Sequence, residues 1–180
     1  MASTKDSLTS KPTSSPGTAV PYFSTRAFAL HSIPISYALS FPPHIYMFTT
    51  MMTASKYTAS NLVPRPNLER LASTLPKPTL DTLWKARGCH LNALEGFPLF
   101  AAAMVAGTYT KMDTRELNFC AAEYLAARVL YSVLYVTVQS EKTSYLRSAA
   151  YFWSVGIPFY VLWKVGWKIA EGVEEDGKGL

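Results

Sequence analysis

The chain has 180 residues, of which 49% are hydrophobic and only 16% are charged, whereas soluble domains carry roughly 25% charged residues. Four apolar stretches near the ~20 residues that cross a bilayer account for this composition, so we predict an all-α membrane protein with four transmembrane helices and no separate soluble domain. The net charge of +5 lies mainly in loops and flanks, which is typical of membrane proteins and does not indicate nucleic-acid binding.

The N-terminal third combines a polar tail with a proline-interrupted apolar stretch. Residues 1–26 are rich in serine, threonine and proline and are predicted to be a disordered tail. Because this segment has basic residues and few acidic ones, it also resembles a transit peptide. The first apolar stretch, from about Ala27 to Met52, contains prolines that a membrane helix tolerates when neighbours satisfy the freed carbonyls. After a long basic connection, Thr79–Asp81 is predicted to open a helix that runs into the second stretch.

The remaining apolar stretches run from about Cys89 to Thr108, from Leu117 to Val138 and from Ala149 to Ile169. The links between them are short, so these stretches are predicted to be antiparallel neighbours. The predicted domain therefore covers residues 27–169, and residues 170–180 form an acidic tail. Lysine and arginine counts do not decide the orientation, but the density of bases in the first loop favours a cytosolic first loop.

The second stretch carries polar residues that lipid alone would not tolerate. Asn92 and Glu95 are three residues apart, so they share one face of a helix. A charged side chain at the centre of a membrane helix costs roughly 2.5–3.5 kcal/mol, so Glu95 should face a partner or a water-filled cavity.

The third stretch places Arg128, Tyr131 and Tyr135 at i, i+3 and i+7, which is one helical stripe. A buried guanidinium needs acceptors, and Glu95 and Glu123 are the acids expected to reach Arg128. If this stripe meets the Asn92–Glu95 face, the groups suit a small zwitterionic ligand. The alternative is a buried ion pair with the tyrosines as interfacial anchors.

Arg147 and Ser148 open the fourth stretch at the membrane boundary. Arg147 either snorkels to the interface or stabilises a thiolate at the mouth of the same pocket, with the Ser148 hydroxyl as a further donor. His31, His44 and His90 lack metal-ligand spacing, so no metal site is predicted.

Three motifs in order resemble the MAPEG family, the membrane-associated proteins of eicosanoid and glutathione metabolism. The first is Asn92-Ala-Leu-Glu95 followed by Gly-Phe-Pro-Leu-Phe, the second is Arg128-x-x-Tyr131-x-x-x-Tyr135, and the third is the Arg147-Ser148 pair. The stretch IPISYALSFPPHIY at residues 33–46 is similar to the fungal and bacterial branch of that family. The resemblance covers about residues 27–168.

This resemblance implies a four-helix bundle in each subunit of a homotrimer, with glutathione bound between subunits. Its implied contacts with glutathione are Asn92, Glu95, Arg128, Tyr131 and Tyr135, and its implied thiolate stabilisers are Arg147 and Ser148. The implied activity is a glutathione-dependent transferase, isomerase or peroxidase reaction, of a detoxification or eicosanoid-like kind, on a lipophilic electrophile delivered by the lipid bilayer. The endoplasmic reticulum is the expected location, with the mitochondrial outer membrane as the alternative.

One position departs from the family pattern. Glutathione-using members place an arginine four residues before the asparagine, and here that position is Gly88. Arg87 is rotated from it by about 100° and is retained as a candidate contact, and Lys85 lies two turns before Asn92. Loss of an arginine clamp leaves open an isomerase or cyclase of the same fold that does not use glutathione, or a non-catalytic membrane scaffold.

Overall fold

The computed structural model describes residue 25, residues 27–138 and residues 140–177, with side chains as far as residue 172. Every regular element in these ranges is a helix. In chain order they are α1 (Ala27–Ala38), α2 (Phe41–Ala54), α3 (Asn67–Leu71), α4 (Lys77–Tyr109), α5 (Thr114–Thr137) and α6 (Glu141–Gly177). The disordered tail predicted for residues 1–26 lies, apart from residue 25, outside the described residues.

The first predicted span consists of two helices. α1 ends at Ala38, and α2 begins at Phe41 with Pro42 and Pro43 directly behind it. A proline lacks the N–H that would bond back to a carbonyl of the preceding helical turn. Pro34 lies inside α1 without ending it. The proline pair therefore divides this stretch, whereas the single proline does not.

α4 and α5 are long and apolar enough to cross a bilayer, and within the described ranges they are the two helices that meet this test. α4 begins at Lys77, close to the predicted start at Thr79–Asp81. α6 is longer, at 37 residues, but contains many tyrosines, tryptophans and lysines. It continues past residue 169 into the segment that was predicted to be a tail. Two of the four predicted spans are thus supported, and the other two remain predictions.

The core lies where α1, α4, α5 and α6 meet. Phe100 on α4 stacks on Tyr124 of α5 with ring centroids 3.9 Å apart, and both side chains are buried. Gly107 allows a close approach, because a Cβ there would lie 2.7 Å from a methyl group of Leu117. A second cluster, which contains Met51, Leu68 and Leu83, packs α2 and α3 against the start of α4.

Asn118 of α5 fixes the start of α1. Its buried amide donates from Nδ2 to the Thr25 carbonyl at 2.7 Å and accepts at Oδ1 from the Ala29 N–H at 3.2 Å. The first N–H groups of a helix have no partner within that helix, so this distant side chain acts as its cap. α1 is thereby held against α5 by directional bonds as well as by apolar contacts.

We expect Asn118→Leu to lower the free energy of unfolding by about 1–3 kcal/mol, because it leaves the buried Ala29 N–H without its acceptor. Unfolding by a denaturing detergent, followed by circular dichroism, measures the change. Thr137→Val is the control, since that exposed hydroxyl bonds only to its own helix, at the Val133 carbonyl. A loss no larger than that of the control would contradict the capping role.

Candidate functional site

α4 and α5 bring two of the predicted site residues into direct contact. Nδ2 of Asn92 donates to the Tyr131 hydroxyl at 2.8 Å. The Tyr131 side chain is buried, and its ring lies 5.4 Å from that of Tyr135 and 5.7 Å from that of Tyr151 on α6. Three helices therefore contribute aromatic or amide groups to one place. The spacing of the motifs predicted this meeting for α4 and α5.

Arg128 lies beneath this contact and is 5% exposed. Its guanidinium donates to the main-chain carbonyl of Asn92 and lies 5.2 Å from the centre of the Tyr131 ring. Gly96 on α4 leaves room for it, since a Cβ there would lie 3.4 Å from a terminal nitrogen of Arg128. The guanidinium is thus held by one main-chain carbonyl and by the ring faces of Tyr124 and Tyr131.

The ion pair predicted for Arg128 is absent from the described part of the chain. Glu123 accepts a hydrogen bond from Nε1 of Trp153 at 2.8 Å. Glu95 is exposed on the outer face of α4 and makes no ion pair with any described residue. Arg128 instead donates to a main-chain carbonyl, which accepts a hydrogen bond without bringing a second charge into the buried region.

Tyr135 is packed between a glycine and an arginine. A Cβ at Gly88 would lie 2.5 Å from the Tyr135 hydroxyl oxygen, so the tyrosine fills the space that a side chain at position 88 would need. On the tyrosine ring lies the Arg147 guanidinium, whose carbon is 4.6 Å from the ring centre. This cation–π contact holds the half-buried guanidinium beside the other site residues.

A cavity of about 280 Å³ collects these groups. Its walls are formed by residues of α4, α5 and α6, namely Asn92, Tyr131, Tyr135, Arg147, Ser148, Tyr151 and Phe152. Five of them were predicted from the motifs. Tyr151 and Phe152 were missed, although Tyr151 follows Arg147 by four residues and so lies on the same helical face.

Arg87, another predicted contact, points elsewhere. It forms an ion pair with Glu69 at 2.7 Å and stacks on Trp84, and it lines a different cavity. The hydrogen bond from Arg87 holds the pKa of the Glu69 carboxyl below its usual value. Lys85 is also occupied, since Nζ donates to the Val138 carbonyl at 2.8 Å at the end of α5. Neither cation replaces the family arginine in the 280 Å³ cavity.

Cysteines and histidines do not assemble a metal site in the described ranges. Cys89 and Cys120 are both buried free thiols. His44 and His90 lie close together, with ring centroids 4.6 Å apart, and Nδ1 of His90 is 2.8 Å from the Ser40 carbonyl oxygen.

We expect Gly88→Ala to destabilise the protein by about 1–3 kcal/mol, because the added methyl group overpacks against the Tyr135 hydroxyl. Gly156→Ala is the matched control, since a Cβ there meets no atom within 4 Å, and it should be neutral or stabilising by up to about 1 kcal/mol. Thermal unfolding in detergent measures both changes.

The double variant Gly88→Ala/Tyr135→Phe removes the clashing oxygen. It should recover most of the lost stability, giving a coupling free energy between the two positions. Additive effects in this double-mutant cycle would contradict the packing of Tyr135 against Gly88.

Comparison with known proteins agrees with this arrangement. A sequence profile of the MAPEG family matches residues 35–167, most of the chain, and the matched range contains every residue of the 280 Å³ cavity. No curated protein and no solved structure matches the chain. The family is one of helical membrane proteins, in agreement with the two apolar helices α4 and α5. The resemblance inferred from the three motifs is confirmed, and the chain belongs to the MAPEG family.

Proposed function

We propose that the chain is a membrane-embedded, glutathione-dependent enzyme of the transferase, isomerase or peroxidase type that acts on a lipophilic electrophile. The observation that carries the proposal is the shared cavity, where an amide, three phenols, a guanidinium and a hydroxyl converge from three helices. Membership of the MAPEG family also supports glutathione-related chemistry.

Arg147 is the proposed catalytic residue. Its guanidinium is fixed on the Tyr135 ring at the cavity and favours the ionised form of a bound thiol. Ser148 is exposed next to it and supplies a hydroxyl donor. A preorganised cation aimed at a developing or existing negative charge is the kind of group that lowers a reaction barrier.

In the transfer reaction the thiol of glutathione loses its proton to water, and the sulfur electron pair forms a bond to the electrophilic carbon of the acceptor. The leaving group departs with the electron pair of its broken bond, or a conjugated acceptor instead takes up a proton at the neighbouring carbon. Phe152 is 71% exposed and lines the same cavity, so it offers an apolar contact for an acceptor arriving through the bilayer.

The proposed site is completed by neighbouring subunits of a homotrimer. Glu95 is an exposed carboxylate on an apolar helix, and no described residue neutralises it. A second subunit or a bound ammonium group would remove the cost of placing that charge in lipid. The cavity of about 280 Å³ also falls just below the ~300–1,000 Å³ typical of ligand sites, which suits a partial pocket.

A glutathione-independent enzyme of the same fold is the second candidate, and the packing at Gly88 favours it. The space of the family arginine is filled by the Tyr135 hydroxyl, so the cavity of one protomer lacks that carboxylate clamp. The pocket would then hold a lipophilic metabolite for isomerisation or cyclisation. We place either enzyme in the endoplasmic reticulum membrane as a multi-pass protein.

Glutathione should raise the melting temperature of the purified protein in a neutral detergent, because a ligand that binds only the folded state stabilises it. At 100 times the dissociation constant the gain is about 2.7 kcal/mol. Glu95→Gln should reduce the shift, whereas Glu141→Gln, a control on the exposed first turn of α6, should preserve it. A shift produced only by hydrophobic compounds would favour the second candidate.

We expect Arg147→Lys to bind glutathione normally but to lower turnover with an activated chloroarene by at least about tenfold, or roughly 1.4 kcal/mol in the barrier. Lysine lacks the planar fork that stacks on Tyr135. The ultraviolet absorbance of the bound thiolate at neutral pH should also fall. Arg115→Lys, an exposed arginine at the start of α5, is the control. Unchanged turnover and absorbance would return Arg147 to an interfacial role.

A further inference from the structure

We propose a second binding site, for a long-chain carboxylate such as a fatty acid anion, in the cavity between α2, α4 and the connection from α2 to α3. This cavity has a volume of about 540 Å³, within the ~300–1,000 Å³ of typical ligand sites. It shares no lining residue with the 280 Å³ cavity, so the inference is independent of the proposed function.

One part of the lining is polar and cationic. Arg65, Arg87 and the Asn61 amide contribute to it. Arg87 is already paired with Glu69, whereas Arg65 makes no ion pair with any described residue. Of these two arginines only Arg87 is neutralised by a described carboxylate. The positive charge of Arg65 is therefore available to a head group with one negative charge. A guanidinium binds a carboxylate through two parallel hydrogen bonds.

The remaining lining is mostly apolar, and it fits a hydrocarbon chain. It is formed by Met47, Phe48, Met51, Leu68, Leu91 and Leu94. Methionine side chains adapt to flexible chains, because the thioether is unbranched and polarizable. Met51 and Leu68 belong to the buried cluster under α3, so the apolar wall continues into the packed interior.

Two histidines, His44 and His90, complete the lining. His44 on α2 and His90 on α4 stack, and the bond of His90 to the Ser40 carbonyl fixes its ring. Residues of α2, α4, α3 and the connection between α2 and α3 therefore line the cavity together. An amphiphile with one acyl chain and one negative charge meets both parts of the lining.

The test uses equilibrium binding of radiolabelled palmitate to the purified full chain in a neutral maltoside detergent. Arg65→Gln should weaken binding at least about tenfold. Arg70→Gln should leave it unchanged, since Arg70 lies in the same segment but outside the cavity, with Nη2 3.5 Å from the Val63 carbonyl oxygen. Met47→Trp should fill the apolar part and weaken binding equally while Arg65 is intact. Hexadecyltrimethylammonium, with the same chain and the opposite charge, should not compete.

Arg65 is exposed, so its variant should retain the wild-type melting temperature and keep the test decisive. Equal palmitate affinity in Arg65→Gln and wild type would overturn the proposal. Competition by the cationic analogue would overturn it as well, since a detergent-like apolar contact would then explain binding. Binding of a lysophosphatidic acid without binding of palmitate would assign the cavity to a phosphate head group and also overturn it.

Discussion

The buried guanidinium of Arg128 is the constraint on which the site depends. Removing a charge from water is costly, and the cost is recovered only when its hydrogen-bonding groups are satisfied. Here the acceptor is the main-chain carbonyl of Asn92, so a side chain of α5 bonds directly to the backbone of α4. That bond fixes the axial register of the two helices, and it places the Asn92 amide within 2.8 Å of the Tyr131 hydroxyl.

The register of α4 and α5 sets the positions of the aromatic side chains in the cavity. Tyr131 packs on Tyr135 and Tyr151, and Tyr135 supports Arg147 on its ring face. Gly88 gives Tyr135 the room to take that position. Gly88 on α4 is thus connected through the Tyr135 ring to the Arg147 guanidinium on α6.

The sequence predicted the parts of this site that depend on helical spacing. Asn92 and Tyr131 meet because short links make neighbouring helices antiparallel and the motifs set the facing residues. It did not predict the acceptor of Arg128, because a backbone carbonyl has no signature in the sequence. Arg87 was misplaced relative to the cavity because a one-residue step turns a side chain by about 100° around the helix. The prolines of the first span were visible in the sequence, but the sequence did not predict that the Pro42–Pro43 pair would divide it while Pro34 would not.

The Glu95 carboxylate lies outside this network of contacts. The cavity is formed on the chain's own helices, whereas Glu95 is exposed on α4 and makes no ion pair with any described residue. A cation from a bound ligand or from another copy of the chain is the partner that we propose for Glu95.

Native mass spectrometry of the detergent-solubilised protein with glutathione tests this account most directly, because it reports subunit number and bound ligand together. We expect a trimer that retains glutathione and loses it when Glu95→Gln is introduced. A monomer that binds glutathione with the same affinity as its Glu95→Gln variant would contradict it.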